Sequence, residues 1–325
     1  MRKIGIIGCG VVSGYGHLPA IRDSKDWELH AIADTDPDRL AKVKQDYSVP
    51  HAFSDYRELL DLPGLSAVTI ATHADTHHEI TLSAIERGLH VLCEKPMASN
   101  LGQCEEMVAA ADRKGVLLAV NFNTRCGTVY RSIKQQIDKG AVGTVRVVRY
   151  VYDWSVHQWN PPERMQHFMD NGGPIIDSGV HFFEGVRWFT GQDFGRIDAC
   201  GIRLPPHKHP QHVIATCRMT GGAIGLVEAG WLYCKHTKDG LGHLFQVDVI
   251  GDDGAISYDS YSKDLRVFSK GGTDVSKIED LSKHFELTYA FLSQSINEGA
   301  LVELASGLDG LKATEAAYQA LEASK

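Results

Sequence analysis

Long hydrophobic runs and an excess of positive charge are both absent from this sequence. No apolar run approaches the roughly 20 residues that span a bilayer, because glycine, serine or a charged residue interrupts each candidate. With 33 basic and 41 acidic residues the formal net charge is −8, which is the wrong sign for binding nucleic-acid phosphates. We therefore expect no membrane and no nucleic-acid partner, and a small soluble ligand instead.

The sequence also lacks C-x-x-C pairs. Its seven cysteines form an odd set, which is typical of reduced thiols in a cytoplasmic protein. The N-terminal apolar stretch is short and broken by glycine, so we do not expect a signal peptide. Several histidines match no compact ligand set with cysteines, and we predict no metal site; they are His157, His167, His207, His209 and His212.

The length of 325 residues exceeds one average domain and predicts two. Residues 1–122 alternate short β-branched runs with amphipathic helical stretches, which predicts an α/β Rossmann domain with a doubly wound parallel sheet. Residues 123–325 have closely spaced strands separated by turns, which predicts an α+β domain with a mainly antiparallel open sheet. The last helix is a candidate to pack back on the Rossmann domain.

A glycine-rich turn follows the first predicted strand. It reads Gly8-Cys9-Gly10-Val11-Val12-Ser13 and leads into a helical stretch. The first glycine permits a tight turn, the second lets backbone N–H groups approach a pyrophosphate, and the helix N-terminus attracts the anion. Placed between a strand and a helix, this turn predicts a dinucleotide site.

Asp34 ends the second predicted strand, 24 residues beyond Gly10. A carboxylate here accepts hydrogen bonds from the adenosine ribose and repels a 2′-phosphate. No arginine or lysine lies between Asp34 and Arg39 to offset that repulsion. The cofactor is therefore predicted to be NAD rather than NADP.

Several longer motifs resemble the Gfo/Idh/MocA family of glucose-fructose oxidoreductases and inositol dehydrogenases. They are ATHADTHHEI at residues 71–80, GLHVLCEKPMA at 88–98, NTR at 123–125, GGPIIDSGVH at 172–181 and DGLKA at 309–313. The chain departs from the family pattern at His73 in place of proline, an extra residue between Ser13 and His17, Pro174 within a glycine run, and Asn121 and Cys126 in place of glycine and an aromatic residue.

The resemblance implies a Rossmann domain joined to a second domain whose open sheet makes a homodimer or homotetramer. It also implies that the Glu94-Lys95-Pro96 motif lies beside the nicotinamide and that Asp177 and His181 face it. Thr72, His77 and Asn123, which lie in the matching motifs, are then candidate cofactor-binding residues with Glu94 and Lys95.

The residues themselves suggest how an alcohol could be oxidised. Hydride loss to a nicotinamide requires a base for the hydroxyl proton, and histidine suits near-neutral pH. Asp177 and His181 are four residues apart at a probable helix entrance, so the carboxylate can orient the imidazole. Lys95 follows a strand end and can stabilise a developing alkoxide. Whether Lys95 or His181 takes the proton stays open.

Aromatic and polar residues after the Rossmann domain are candidate substrate contacts, because sugar C–H faces stack on flat rings. They are Arg125, Tyr152, Trp154, His157, Trp159 and His181. Core or subunit contacts are an equally good interpretation of the aromatic residues, and Arg125 could instead pair with an acidic residue.

These features together predict an NAD-dependent dehydrogenase that acts on a secondary alcohol of a sugar, cyclitol or related polyol. Two alternatives stay open at this point. One is a redox-neutral, NAD-dependent glycosidase-type enzyme on the same scaffold, and the other is a noncatalytic NAD-bound sensor. Family relatives that reduce other carbonyl compounds, such as tetrapyrroles or dihydrodiols, leave that substrate class open as well.

Overall fold

The computed structural model describes residues 1–154, 162–232 and 243–325 of the chain. Contacts divide the chain into two units: the first comprises residues 1–126 and 283–311, and the second comprises residues 127–282 and 312–325. Among the described residues, no helix is both long enough and apolar enough to cross a membrane.

The described strands and helices are numbered here in chain order. The strands are β1 Arg2–Ile7, β2 Trp27–Ala33, β3 His51–Phe53, β4 Leu65–Ile70, β5 His90–Cys93, β6 Leu118–Val120, β7 Val145–Trp154, β8 Phe194–Ile202, β9 His212–Met219, β10 Ile224–Gly230, β11 His243–Gly251, β12 Ala255–Asp259, β13 Asp264–Ser269, β14 Gly272–Lys277 and β15 Ala305–Ser306. The α-helices are α1 Leu18–Arg22, α2 Pro37–Asp46, α3 Tyr56–Leu60, α4 Ala74–Glu86, α5 Leu101–Lys114, α6 Thr128–Asp138, α7 Pro162–Asp170, α8 Pro174–Asp177, α9 Gly179–Thr190, α10 Phe285–Glu298 and α11 Gly307–Ala323.

The first unit is built on one sheet. Its described strands lie in the order β15-β6-β5-β4-β1-β2-β3. The pairs from β6 across to β3 are parallel, and the short edge strand β15 runs antiparallel beside β6. Strand order reverses between β1 and β4, the point where such sheets bind ligands at the carboxyl ends of their strands. The predicted doubly wound Rossmann topology is confirmed.

Local sequence signals set the helix ends in this unit. The Asp36 side chain caps α2 by accepting a hydrogen bond from the Arg39 backbone N–H at 3.0 Å, and Asn100 caps α5 through Gln103 N–H at 3.0 Å. Gly115 ends α5 in the left-handed conformation, with φ of +68°. Each cap satisfies a backbone group that has no partner inside the helix.

The second unit contains a larger open sheet. Its described strands lie in the order β14-β13-β12-β11-β7-β10-β9-β8, and adjacent pairs are antiparallel except β7 and β10, which run parallel. The predicted mainly antiparallel sheet is thus confirmed. The parallel pair was not predicted, because it joins strands more than 70 residues apart that no local turn signal connects.

One face of this sheet packs against α9. Gly185 of α9 lies over the ring of Tyr150 on β7, where an added Cβ atom would come within 2.4 Å of the tyrosine oxygen. Glycine therefore permits the close approach of helix and sheet. On the opposite face, isoleucines on four strands are between 39% and 51% exposed; they are Ile202, Ile214, Ile224 and Ile250.

The segment between β7 and Gly173 differs in part from the prediction of an irregular region. Residues Pro162–Asp170 form α7, whose Met165 and Met169 pack with Trp231. The amphipathic signal of α7 is short and begins at the second of two consecutive prolines, which explains why the sequence pattern did not reveal it.

Candidate functional site

Residues that follow five strands of the first sheet form a candidate cofactor site. Gly8 follows β1, Asp34 follows β2, Thr72 lies just beyond β4, Glu94 follows β5 and Asn123 lies just beyond β6. Since carboxyl ends of parallel strands share one edge of a sheet, the fold brings these residues to the same edge.

The glycine turn leaves room for an anion. Gly8 has a φ of +95°, and an added Cβ atom would lie 2.6 Å from the carbonyl oxygen of Ala71, so glycine is required there. At Gly10, an added Cβ atom would lie more than 4 Å from the described residues other than its own neighbours in the chain. The backbone N–H groups at the start of the following helix are therefore accessible to a pyrophosphate.

A π-helical turn from Ser13 to His17 connects the glycine turn to α1. π-Turns contain one more residue than an α-helical turn, so this turn accommodates the extra residue between Ser13 and His17. The Ser13 hydroxyl donates to the Gly8 carbonyl oxygen at 2.5 Å. Gly16 packs under Phe285, where a Cβ atom would come within 2.6 Å of the ring.

The Asp34 carboxylate is oriented by backbone donors. It accepts hydrogen bonds from Cys9 N–H at 2.7 Å and from Asp36 N–H at 2.8 Å. The Arg39 guanidinium lies 3.3 Å from Asp34 and 3.1 Å from the Asp36 carboxylate. The sequence did not reveal this pairing, because Arg39 reaches back along the first turn of α2.

Glu94 is a buried carboxylate with three hydrogen-bond donors. It accepts from His17 Nε2 at 2.9 Å, from Asn121 Nδ2 at 2.6 Å and from the backbone N–H of Lys95 at 3.2 Å. Burial by itself would raise the pKa of Glu94, but the hydrogen bond and charge of His17, with the Asn121 bond and the charge of Lys95, lower it to about 2. Glu94 is therefore ionised at neutral pH.

Two further residues orient the His17 ring. The hydroxyl of Tyr289 on α10 lies 2.8 Å from His17 Nδ1, and the Thr69 hydroxyl lies 3.0 Å from the Tyr289 hydroxyl. His17, Thr69 and Tyr289 are all fully buried. A continuous buried chain of polar groups therefore runs from β4 to the Glu94 carboxylate.

His77 links the loops that follow β4 and β5. Its ring nitrogens lie 3.0 Å from the Pro96 carbonyl oxygen and 3.2 Å from the Thr72 carbonyl oxygen. Burial lowers the pKa of His77, so the neutral ring donates to one carbonyl at a time. The candidate cofactor residue His77 is thus placed to brace the loop that carries Lys95.

Asn123 and Arg125 lie in a short 3₁₀-helical turn after β6. The side-chain oxygen of Asn123 is buried and has no hydrogen-bond partner among the described residues, so it is available to a ligand. The Arg125 guanidinium instead lies 3.4 Å from the Asp309 carboxylate and donates to the Leu304 carbonyl oxygen at 3.3 Å. This placement favours a structural role for Arg125.

Asp177 and His181 lie in the second unit. Asp177 ends α8, and His181 is the third residue of α9, with Ser178 between the two helices. Between residues 172 and 186, these two side chains alone are partly exposed, and all others are buried. The predicted pair thus emerges together from an otherwise buried helical stretch. The Ser178 hydroxyl donates to the Asp177 carboxylate at 3.2 Å.

The remaining candidate substrate residues belong to the second unit. Tyr152 packs against Phe182, with ring centroids 5.3 Å apart, and Trp154 packs against the cluster of Met165, Met169 and Trp231. Both placements match the packing interpretation. His157 and Trp159 lie outside the described residues.

Family models identify the chain. An oxidoreductase family model with an NAD-binding Rossmann fold, GFO_IDH_MocA, matches residues 2–122, and the C-terminal domain model of the same family matches residues 130–257. The chain belongs to the Gfo/Idh/MocA family. This confirms the resemblance read from the motifs, and it makes the protein an NAD-dependent oxidoreductase.

Individual members of the Gfo/Idh/MocA family are similar along most of the chain. Myo-inositol 2-dehydrogenase of Thermotoga maritima is 26% identical over 264 residues, which cover 79% of this chain and 75% of that protein. Levoglucosan dehydrogenase of Pseudarthrobacter phenanthrenivorans is 27% identical over 259 residues, 72% of this chain and 65% of that protein.

Solved structures agree in fold. An oxidoreductase from Agrobacterium radiobacter, crystallised with NAD⁺, L-tartaric acid and magnesium, superimposes with a TM-score of 0.87 at 22% identity, covering 99% of this chain and 96% of that one. A levoglucosan dehydrogenase in complex with NADH gives a TM-score of 0.84 at 23% identity, with coverage of 99% and 96%. At these identities the likeness shows the Rossmann and open-sheet architecture alone.

The site residues of this Gfo/Idh/MocA protein fit the NAD that its family binds. The open space at Gly10, the oriented Asp34 carboxylate and the unpartnered Asn123 oxygen provide places for a pyrophosphate, a ribose and a further polar group. Sequence reasoning missed His17 and Tyr289. His17 is a lone histidine inside a glycine-rich turn, and Tyr289 comes from a helix almost 200 residues beyond Glu94, so neither carries a local signal.

Proposed function

We propose that this protein uses NAD to oxidise a secondary alcohol of a sugar, a cyclitol or a related polyol, or to reduce the corresponding ketone. One observation carries the proposal. Lys95 stands at the carboxyl edge of the first sheet, where the glycine turn and Asp34 also lie, on a loop held by Glu94 and His77. The similarity to inositol and levoglucosan dehydrogenases supports the substrate class.

The first unit holds the cofactor. In this proposal Gly8, Gly10, Val11, Val12 and Ser13 hold the pyrophosphate, and Asp34 binds the adenosine ribose. Thr72, His77, Glu94 and Asn123 form or support the nicotinamide end. Bound there, NAD would supply the hydride acceptor for the oxidation.

The chain supplies the proton chemistry. As the hydride leaves, the hydroxyl proton moves to His181, and Asp177 orients and stabilises the imidazolium that forms. The Lys95 ammonium stabilises the negative charge that develops on the substrate oxygen. The products are a ketone, NADH and one proton, which the protein holds.

The test is NADH formation with a panel of sugars and cyclitols. Mixing protein, NAD and each polyol should raise the absorbance at the reduced-nicotinamide band. We expect Lys95→Met and His181→Asn to lower kcat/KM by about 100-fold or more, with NAD still bound in a fluorescence titration. Lys42→Met, on an exposed part of α2, is the matched control and should retain activity.

Two outcomes would count against this proposal. Protein that binds NAD but reduces none of it across a broad panel contradicts polyol oxidation. Release of a sugar from a glycoside without net NADH, detected by chromatography, would instead favour the redox-neutral alternative.

We also propose that the protein forms a homo-oligomer, a dimer or a tetramer, through the open face of the second sheet. Ile202, Ile214, Ile224 and Ile250 lie on that face and are about half exposed. Exposed apolar groups on several adjacent strands are typical of a protein interface.

A cytoplasmic location is a separate proposal. It rests on the cysteine content: the sequence has seven cysteines, an odd number, and no C-x-x-C pair, as expected in a reducing compartment.

A further inference from the structure

The Glu94 carboxylate is buried beside Lys95, yet the proposed chemistry gives it no proton to transfer. Burying an ionised carboxylate is costly unless several donors compensate for lost hydration. Here His17, Asn121 and the Lys95 N–H all donate to it. Such a cluster requires a reason beyond packing, because an apolar side chain would fill the space at lower cost.

The geometry points to Glu94, His17 and Asn121 as a positioning network that fixes the backbone of Lys95 for the reaction. This inference rests on the proposed function, since it assumes that Lys95 serves catalysis. None of the three side chains is proposed to exchange a proton with the substrate. His17 and Asn121 act through the Glu94 carboxylate, which accepts a hydrogen bond from the Lys95 backbone N–H at 3.2 Å.

The donors hold the carboxylate from two elements of the first unit. His17 approaches from the π-helical turn before α1, and Asn121 from the end of β6. Both bind the same oxygen, Oε1, which leaves Oε2 for the Lys95 N–H. The two side chains thus set the rotation of the carboxylate and with it the direction of its bond to Lys95.

The network continues behind His17. Tyr289 binds His17 Nδ1, and Thr69 binds the Tyr289 hydroxyl, so the imidazole is constrained at both ring nitrogens. The Phe285 and His17 rings pack edge to face, with centroids 4.9 Å apart and an interplanar angle of 86°. These contacts leave the imidazole one orientation, in which Nε2 faces Glu94.

On the other side of Lys95, His77 contacts the Pro96 carbonyl oxygen at 3.0 Å. The Cys93 thiol contacts the Met97 carbonyl oxygen at 3.8 Å. The backbone from residue 93 to residue 97 is therefore bound on both flanks of Lys95. Misplacing a reacting group by about 1 Å can cost on the order of 100-fold in rate, so such bracing has a functional value.

The experiment compares Asn121→Ala, His17→Gln and Tyr289→Phe with Ser295→Ala. Ser295 is a matched control, because it is buried in the same unit and its hydroxyl accepts from Val302 N–H at 2.9 Å, far in sequence from the loop. Tyr289→Phe removes one oxygen while retaining the ring, so it covers the case in which His17→Gln fails to fold.

Two readouts are measured for each variant. The first is hydrogen–deuterium exchange of the peptide that contains Lys95, which needs no substrate. The second is a pair of values measured separately, kcat and the Kd for NAD. We expect Asn121→Ala to speed the exchange at Lys95 by tenfold or more and to lower kcat by about tenfold, with the Kd for NAD within twofold of wild type. Ser295→Ala should lower the melting temperature and leave both readouts unchanged.

Two other outcomes would overturn the inference. Unchanged exchange at Lys95 in Asn121→Ala and in folded His17→Gln overturns the inference, whatever the activity. Faster exchange with unchanged kcat also overturns it, because the network would then be structural only. If wild-type protein turns over no polyol, the proposed function fails, while the exchange data alone decide whether the network anchors Lys95.

Discussion

At the residue scale, we expect cofactor preference to depend on Asp34, which follows β2, and on Arg39 of α2. Asp34 presents a carboxylate that is oriented by two backbone N–H groups. Arg39 places a half-exposed guanidinium 3.3 Å from it. We therefore expect the carboxylate to repel a 2′-phosphate and, through its ion pair, to hold the Arg39 guanidinium away from one.

We predict that Asp34→Ser increases the use of NADP. Removing the carboxylate ends the repulsion and releases Arg39, whose guanidinium can then bind a 2′-phosphate. The ratio of kcat/KM for NADP to that for NAD should rise by about tenfold or more. The double variant Asp34→Ser with Arg39→Gln should lose most of this gain. An unchanged ratio in the single variant would show that Asp34 does not select the cofactor.

At the element scale, the turn that leads from the glycine motif into α1 is π-helical rather than α-helical. A regular α-helix with one more residue would rotate every later side chain by about 100°. The π-helical turn from Ser13 to His17 takes up the added residue locally. His17 consequently reaches Glu94, and α1 continues in register.

The second sheet contains a charged cluster of His212, Asp153 and Glu228, which lie on three strands. His212 on β9 lies 3.4 Å from the Asp153 carboxylate on β7 and 3.1 Å from the Glu228 carboxylate on β10. Gly230 of β10 pairs with both His212 and Asp153, and an added Cβ atom there would come within 2.1 Å of the imidazole. The contact with the Asp153 carboxylate, with a smaller effect from Glu228, raises the pKa of His212 above its usual value of 6.5, although burial opposes the shift.

We predict that the stabilisation from His212 depends on pH. Because the folded state binds this proton more tightly than the unfolded state, the contribution is complete below pH 6.5 and is lost as pH rises through the raised pKa. His212→Gln should therefore lower the free energy of unfolding by about 1.5 to 3 kcal/mol at pH 6 and by less at pH 9. Urea titrations at both pH values test this. An equal loss at both would contradict it.

At the scale of the whole molecule, the open face of the second sheet leaves apolar surface uncovered in the isolated chain. Isoleucines from β8, β9, β10 and β11 share that face with salt-bridged arginines such as Arg149, which pairs with Asp248 at 2.6 Å. A second copy that covers this face would bury the isoleucines, and a charge such as that of Arg149 would be covered together with its partner.

We predict that Ile224→Glu combined with Ile250→Glu converts the oligomer to monomers. A buried carboxylate without a partner at the interface is strongly unfavourable. Sedimentation velocity should report the change, while Leu281→Glu, at an equally exposed apolar residue outside the sheet, should keep the wild-type assembly. A wild-type protein that is already monomeric at micromolar concentration would refute the proposed oligomer.

Much of the first unit could be predicted from sequence because its signals are local. The glycine turn, Asp34 and the Glu94-Lys95-Pro96 motif each directly follow a strand, and the parallel topology then brings them to one edge. The pairing of β7 with β10 could not be predicted, since strands distant along the chain choose partners through packing rather than turn chemistry.

The sequence by itself determined the Rossmann topology, the cofactor class and the loop that carries Lys95, because strand period, glycine positions and capping residues act over a few neighbouring residues. The tertiary structure alone decided that His17, Asn121 and Tyr289 gather around Glu94. They come from segments that are up to 272 residues apart, and they meet there because a buried carboxylate requires more hydrogen-bond donors than its neighbours in sequence supply.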